Sequence, residues 1–271
     1  MSEALADFLT VTGLSLLVAV CAMTVTAVVA RRVGRVSVVD VTWGVGLVLV
    51  AVLCAVLGSA LGAGWVPWLL AVLVSVWGLR LAWHIFRRSR GHGEDPRYAK
   101  ILGVSPDEDR AAWFSAAVRK VFVVQAAALF FVSWPLQAAA LASSVWVPLV
   151  VLGAVVWLVG FVFETVGDAQ LAAYKKDPDR GPVMDRGLWA WTRHPNYFGD
   201  ACIWWGIWLA GAASAGWVPA LVTLPAPLVM TYFLAFATGA RLLEQTMMKR
   251  PGYPEYAART SMFVPLPPKR P

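Results

Sequence analysis

The stretch Val66-Pro-Trp-Leu-Leu-Ala-Val-Leu-Val-Ser-Val-Trp-Gly-Leu-Arg80-Leu-Ala-Trp-His84-Ile-Phe-Arg87-Arg-Ser-Arg90 is an apolar run that ends in a cluster of arginines. About 20 mostly apolar residues suffice to carry a helix across the hydrocarbon of a bilayer. A helix that is apolar on every side has no face to give to water. Only internally hydrogen-bonded backbone survives in lipid, so the run reads as a spanning helix. The arginines at its end mark the side that stays in the cytosol.

Runs of the same kind lie on both sides of it. They place seven spans at roughly 8–30, 41–61, 66–86, 118–138, 145–166, 197–215 and 217–239. Composition agrees: 59% of residues are hydrophobic and 14% charged, against roughly 25% charged in soluble domains. The 15 Trp suit membrane–water boundaries, where an apolar ring with one N–H is at home. The expected fold is an all-α integral membrane protein, a single transmembrane domain over 1–271.

Charge placement orients the bundle. Every Lys and Arg except Arg80 falls in one of four segments. The first holds Arg31, Arg32 and Arg35, and the second runs from Arg87 to Lys120. The third runs from Lys175 to Arg193, and the fourth is the tail from Arg241 to Lys269 and Arg270. With these cytosolic, an odd number of spans puts the N-terminus outside and the C-terminus in the cytosol. A multi-pass protein of the cell inner (plasma) membrane is expected. The net charge of +7 is then a matter of orientation, and no nucleic-acid partner is expected. Glu3 and Asp7, not basic residues, precede the first span, so a cleaved signal peptide is not expected. Cys21, Cys54 and Cys202 lie in apolar runs, with no disulfide pattern.

The outer loops are short, and the inner loops are long and polar. Loops of that length carry function. Ionisable residues inside spans are costly and are functional candidates by default. Asp40 opens the second span. Arg80, His84 and Arg87 follow at i, i+4 and i+7 on one face of the third. Glu164 and Asp168 stand one turn apart near the end of the fifth. Asp200 falls in the first turn of the sixth, where the helix dipole favours an anion. Arg241 and Glu244 follow the seventh. Internal ion pairing alone would also account for such residues, Arg80 with Asp40 or Arg193 with Asp168 for example. With His84, His92 and His194 as the only histidines, no metal site is expected.

Two stretches are more specific. One is Gly187-Leu-Trp-Ala-Trp-Thr-Arg-His-Pro-Asn-Tyr-Phe-Gly-Asp200. The other runs from Arg241-Leu-Leu-Glu244 through Arg250-Pro-Gly-Tyr253-Pro-Glu-Tyr256 to Thr260-Ser-Met-Phe263-Val-Pro265. Together they resemble the C-terminal domain of the steroid 5-alpha-reductase superfamily, in its uncharacterised bacterial membrane branch. More distantly they resemble the isoprenylcysteine carboxyl methyltransferases, which share the Arg-His-Pro-x-Tyr core. The resemblance covers residues 155–268. It implies a seven-helix bundle open to the cytosol and holding NADPH. By position it implies cofactor contacts from Asp168, Lys175, Arg193, His194, Asn196, Tyr197, Asp200 and Trp204. Glu164 joins this set, and Arg241, Glu244, Tyr253 and Tyr256 would close over the nucleotide. Arg forks suit phosphate, and Asn and Asp suit carboxamide and ribose hydroxyls. A plainer reading makes Arg-His-Pro a helix start, with Trp189 and Trp191 as interface anchors.

The resemblance departs from the reductases where their substrate ketone is polarised. Trp77 falls near a Tyr position and cannot donate an acidic proton. The catalytic candidates are therefore Asp40, Arg80 and His84, with Tyr98 as a further donor. Three functions are expected in descending order. The first is an NADPH-dependent reductase that gives a hydride to the polarised C=C of an apolar, lipid-like substrate drawn from the bilayer. The second is an S-adenosylmethionine-dependent lipid methyltransferase, and the third a non-enzymatic lipid-binding protein.

Overall fold

The computed structural model describes residues 2–237 and 239–268, so Lys269 and Arg270 of the tail lie outside the described residues. Helix makes up 76% of the chain and the described residues contain no strand, so the all-α class is observed. The chain divides into two compact units, Met1–Trp146 and Val147–Pro271. The region of resemblance, 155–268, falls within the second.

The first unit contains α1 (Glu3–Val33), α2 (Val39–Ala60), α3 (Val66–Ser89) and the short α4 (Pro96–Leu102). A long helix follows: α5 (Arg110–Ala117), a π-helical turn (Val118–Phe122) and α6 (Val123–Val132). α7 (Trp134–Ala140) completes it. The expected fourth span, 118–138, is thus displaced toward the N-terminus. Asp109 starts the helix by accepting hydrogen bonds from the amides of Ala111 and Ala112. Its chain of turns ends at Ser133, one residue before a new helix with Pro135 in its first turn. Arg119 and Lys120 were expected in the loop but lie within the helix. Their aliphatic stems let the charged ends reach polar partners, Nζ of Lys120 donating to the carbonyl of Ile101 at 2.8 Å.

The second unit contains α8 (Val147–Lys176), a 3-10 turn (Gly187–Ala190) and α9 (Pro195–Trp208), which a π-helical turn extends to Ala213. α10 (Trp217–Thr223), α11 (Pro225–Tyr232), α12 (Ala240–Met247) and α13 (Tyr253–Arg259) follow. Among the described residues six helices are long and apolar enough to cross a membrane: Glu3–Val33, Val39–Ala60, Val66–Ser89, Arg110–Val132, Val147–Lys176 and Trp217–Met247. The chain is a multi-pass membrane protein. Their outward residues confirm the solvent: Val25 is 64% exposed and Leu158 54%, a surface that water would not tolerate over whole helices. The expected span at 197–215 is α9 with its extension, which is not among the six. α8 outruns its expected end at 166 by ten residues, at Lys176, so Glu164 and Asp168 lie inside a helix rather than at its end.

Glycines set the closest helix packing. On α8, Gly153, Gly160 and Gly167 recur every seven residues, and Gly199 and Gly206 do the same on α9. A Cβ on Gly160 would stand 2.5 Å from the carbonyl oxygen of Gly199, and one on Gly206 would stand 2.6 Å from that of Gly153. Backbone therefore meets backbone along this antiparallel pair. Without a hydrophobic drive between helices in lipid, such close approach is what holds them together.

Candidate functional site

The two motif stretches fold onto each other in the second unit. Arg193 is their junction. Its Nε and Nη2 donate to the two oxygens of Glu244 at 2.6 and 2.8 Å. Its Nη1 donates to the carbonyls of Ala257 at 2.8 Å and Thr260 at 2.5 Å. This is a two-pronged guanidinium–carboxylate pair, the strongest geometry such groups adopt. The side chains are only 10% and 11% exposed. Burial works against the Arg193 charge, but the hydrogen bonds and charge of Glu244 outweigh it and hold its pKa above the ordinary value.

Glu244 is almost saturated. Besides Arg193, its Oε1 lies 3.1 Å from Nε2 of His194 and accepts from the Tyr253 hydroxyl at 3.4 Å. A carboxylate only accepts, so Nε2 is the protonated nitrogen of His194. The imidazole stacks on Tyr197, with ring centres 5.6 Å apart. Burial, then the Glu244 charge, pushes the Tyr253 pKa up, so its phenol keeps its proton. Burial pushes Tyr256 up as well, and its hydroxyl donates to the carbonyl of Trp189 at 2.5 Å.

The tail is latched further. Thr192 forms a parallel bridge with Ser261, and the Arg193 amide donates to the Ser261 carbonyl at 2.9 Å. The Thr192 hydroxyl reaches the Phe263 carbonyl at 2.9 Å. Trp189 is no surface anchor: it is buried, and its indole N–H donates to Gly167 on α8 at 3.0 Å. Trp191 is the exposed member of that pair.

Beside this latch, the side-chain amide of Asn196 donates to Asp168 at 3.2 Å. Pro195 is the first residue of α9, so Asn196 occupies its first turn and Asp200 the second, one turn later than expected. Glu164 is buried where α8 meets Gly199. Trp204 is buried deeper along α9. Lys175 and Arg241 face outward and are exposed. A cleft of about 270 Å³ lies under α13 and includes Tyr174, Arg180, Asp185, Arg186, Tyr256 and Arg259. It is slightly below the roughly 300–1,000 Å³ usual for small-molecule pockets. Arg259 is paired there with Asp185 at 2.6 Å. Sequence reasoning did not single out Arg180, Arg186 and Arg259 as a group, although the first two lie in a loop it marked as basic.

The first unit carries the other candidates. One oxygen of Asp40 accepts from the Tyr98 hydroxyl at 2.5 Å and the other from Arg97 at 3.3 Å. Burial and the Asp40 charge push the Tyr98 pKa up, so this phenol too stays protonated. Burial opposes the neighbouring Asp95 carboxylate, yet hydrogen bonds from Arg97 outweigh it and hold its carboxyl below the ordinary range. Arg80 and His84 are half-buried one turn apart on α3, and Trp77 is fully buried there. Close by, α2 and α3 touch through backbone, since a Cβ on Gly78 would stand 2.7 Å from the Gly44 carbonyl oxygen.

Residues 26–260 match the model of the family described as Protein of unknown function (DUF1295), and the chain belongs to that family. No curated protein and no solved structure matches it.

Proposed function

We propose that this family member is an NADPH-dependent reductase of the polarised C=C bond of an apolar, lipid-like substrate. One observation carries the reading: the two stretches that resemble the reductase domain pack against each other, with Asp168 and Asn196 joined at 3.2 Å beside the Arg193–Glu244–His194 cluster. An amide and a carboxylate held together match a carboxamide or a ribose diol, which offer donors and acceptors side by side. Asp168, Asn196 and Asp200 orient the nucleotide, and Lys175, Arg180 and Arg186 neutralise its phosphates. Tyr253 and Tyr256 hold the tail closed.

The bound cofactor would supply a hydride to the β-carbon of the activated double bond, and the protein supplies placement and a proton. The catalytic candidates Asp40, Arg80 and His84, with Tyr98, all belong to the first unit. The proton goes to the α-carbon as the double bond becomes single. The protein would have seven crossings in the cell inner membrane, with the N-terminus outside. The extended α9 has 14 plus 5 residues, about 28 Å of helix at 1.5 Å per residue, close to the thickness of the hydrocarbon core.

A second reading gains from one detail. Arg193 uses its donors on Glu244 and two carbonyls, which leaves little for a phosphate. S-adenosylmethionine carries no phosphate, so a lipid methyltransferase would need no free arginine at that point. The two are separated by thermal unfolding of the purified protein in detergent with each cofactor. NADPH is expected to bind in the micromolar range and to stabilise by about 2.7 kcal/mol at one hundred times its Kd. Asp168→Ala and Asn196→Ala should each reduce that protection. Protection by S-adenosylmethionine and none by NADPH would transfer the assignment to the methyltransferase.

A further inference from the structure

At the basic end of α1, two arginines come together, while the nearby Asp109 carboxylate is engaged by the amides of Ala111 and Ala112. The Arg31 guanidinium lies over the Phe114 ring, 5.2 Å from its centre. Nη2 of Arg110 donates to the Arg31 carbonyl at 2.6 Å, which satisfies one of the free carbonyls at a helix end. Arg110 and Phe114 are one turn apart on α5, so the two cationic groups share one side of that helix. Arg31, Arg110, Ala111, Phe114 and Ser115 line a groove of about 350 Å³ that contains no carboxylate. Among the described residues neither arginine forms an ion pair.

Two guanidiniums lining one groove favour an anion placed between them. The groove sits where α1, a spanning helix, reaches the end of its apolar run. On the helices that leave this end, Val28 and Val29 of α1 and Val123 and Val124 of α6 are exposed apolar residues. An occupant that is anionic at one end and apolar at the other suits both parts.

We propose that this groove binds the phosphate headgroup of an anionic phospholipid from the leaflet at that end of α1. The guanidiniums pair with the phosphate, Ser115 forms the polar edge, and the acyl chains run along the exposed valines. A basic pocket between helix ends is the arrangement that recognises such headgroups. This does not depend on the reductase reading, since all of its residues belong to the first unit.

Native mass spectrometry of the full chain in detergent tests it, with dioleoyl-phosphatidylglycerol, dioleoyl-phosphatidylcholine and inorganic phosphate as probes. The wild type should retain one phosphatidylglycerol in preference to phosphatidylcholine. Arg31→Gln with Arg110→Gln should weaken phosphatidylglycerol about thirtyfold. Ser115→Asp places a carboxylate in the groove without removing any bond, and should weaken it as well. It decides the matter if the double variant does not fold. Lys249→Gln with Arg250→Gln lowers the net charge equally and should change nothing. Equal retention of the two lipids, or an unchanged preference in the groove variants, overturns the proposal. Displacement of the lipid by millimolar inorganic phosphate overturns it too, because the site would then be one for free phosphate.

Discussion

Glu244→Ala is expected to destabilise the second unit by about 3–5 kcal/mol, the range for breaking a buried ion pair from one side. The variant leaves the Arg193 charge 10% exposed with only the carbonyls of Ala257 and Thr260 to face. It also removes the acceptor of His194 and Tyr253. Arg193→Ala should cost a similar amount, because it strips Glu244 of both of its guanidinium bonds, at 2.6 and 2.8 Å, and leaves the carbonyls of Ala257 and Thr260 without their donor. Removing both charges with side chains of like volume, Arg193→Met with Glu244→Leu, should cost less than either alone, since no unpaired charge remains. Unfolding in detergent measures all three. Hydrogen exchange over 253–263 should speed up in each single variant, as α13 and the strand-like segment after it lose their anchor. A single-variant cost under about 1 kcal/mol, the value of an exposed pair, would show that the latch is not a structural keystone.

That pair explains what was legible in the sequence and what was not. Membrane spanning was legible because hydropathy and charge act locally: a run such as Val66 to Phe86 carries its own solvent preference, and Arg87, Arg88 and Arg90 carry its end. Helix starts were legible at Pro195 for the same reason, since a proline tolerates a first turn whatever surrounds it. The partner of Arg193 was not, because 51 residues separate it from Glu244 and no local rule spans that gap. Pairing with Asp168 was an equally good expectation from charge alone. The fourth span moved to Arg110–Val132 because the cap at Asp109 and the aliphatic stems of Arg119 and Lys120 outweighed the cost of charges near lipid. The glycine spacing at 153, 160 and 167 was present in the sequence. It reads as a packing face only when Gly199 and Gly206 are known to oppose it. Hydrophobic pattern alone did not mark α9 as the partner of α8.

Gly160→Ala is expected to cost about 1–3 kcal/mol, although alanine is the better helix former. The added carbon would meet the Gly199 carbonyl oxygen at 2.5 Å and the Ile203 amide nitrogen at 2.7 Å. Both are backbone, so no rotamer change can relieve the clash, and the two helices must separate. Gly13→Ala on α1 is the internal control: nothing lies within 4 Å of its added carbon, so only helix propensity acts and stability should rise by up to about 1 kcal/mol. Opposite signs for the same chemical change would isolate packing from propensity. The separation also reaches the candidate site. Gly167 continues the Gly160 face one heptad on, and a Cβ there would stand 3.3 Å from the Asn196 amide nitrogen, so the same seam sets the 3.2 Å bond between Asp168 and Asn196. Gly160→Ala should therefore reduce protection by NADPH more than it reduces stability alone would explain, because hydrogen bonds fail steeply with added distance. Full cofactor protection in a destabilised Gly160→Ala protein would separate the seam from the site. The role of Asp168 and Asn196 in holding nucleotide would then have to rest on their own variants.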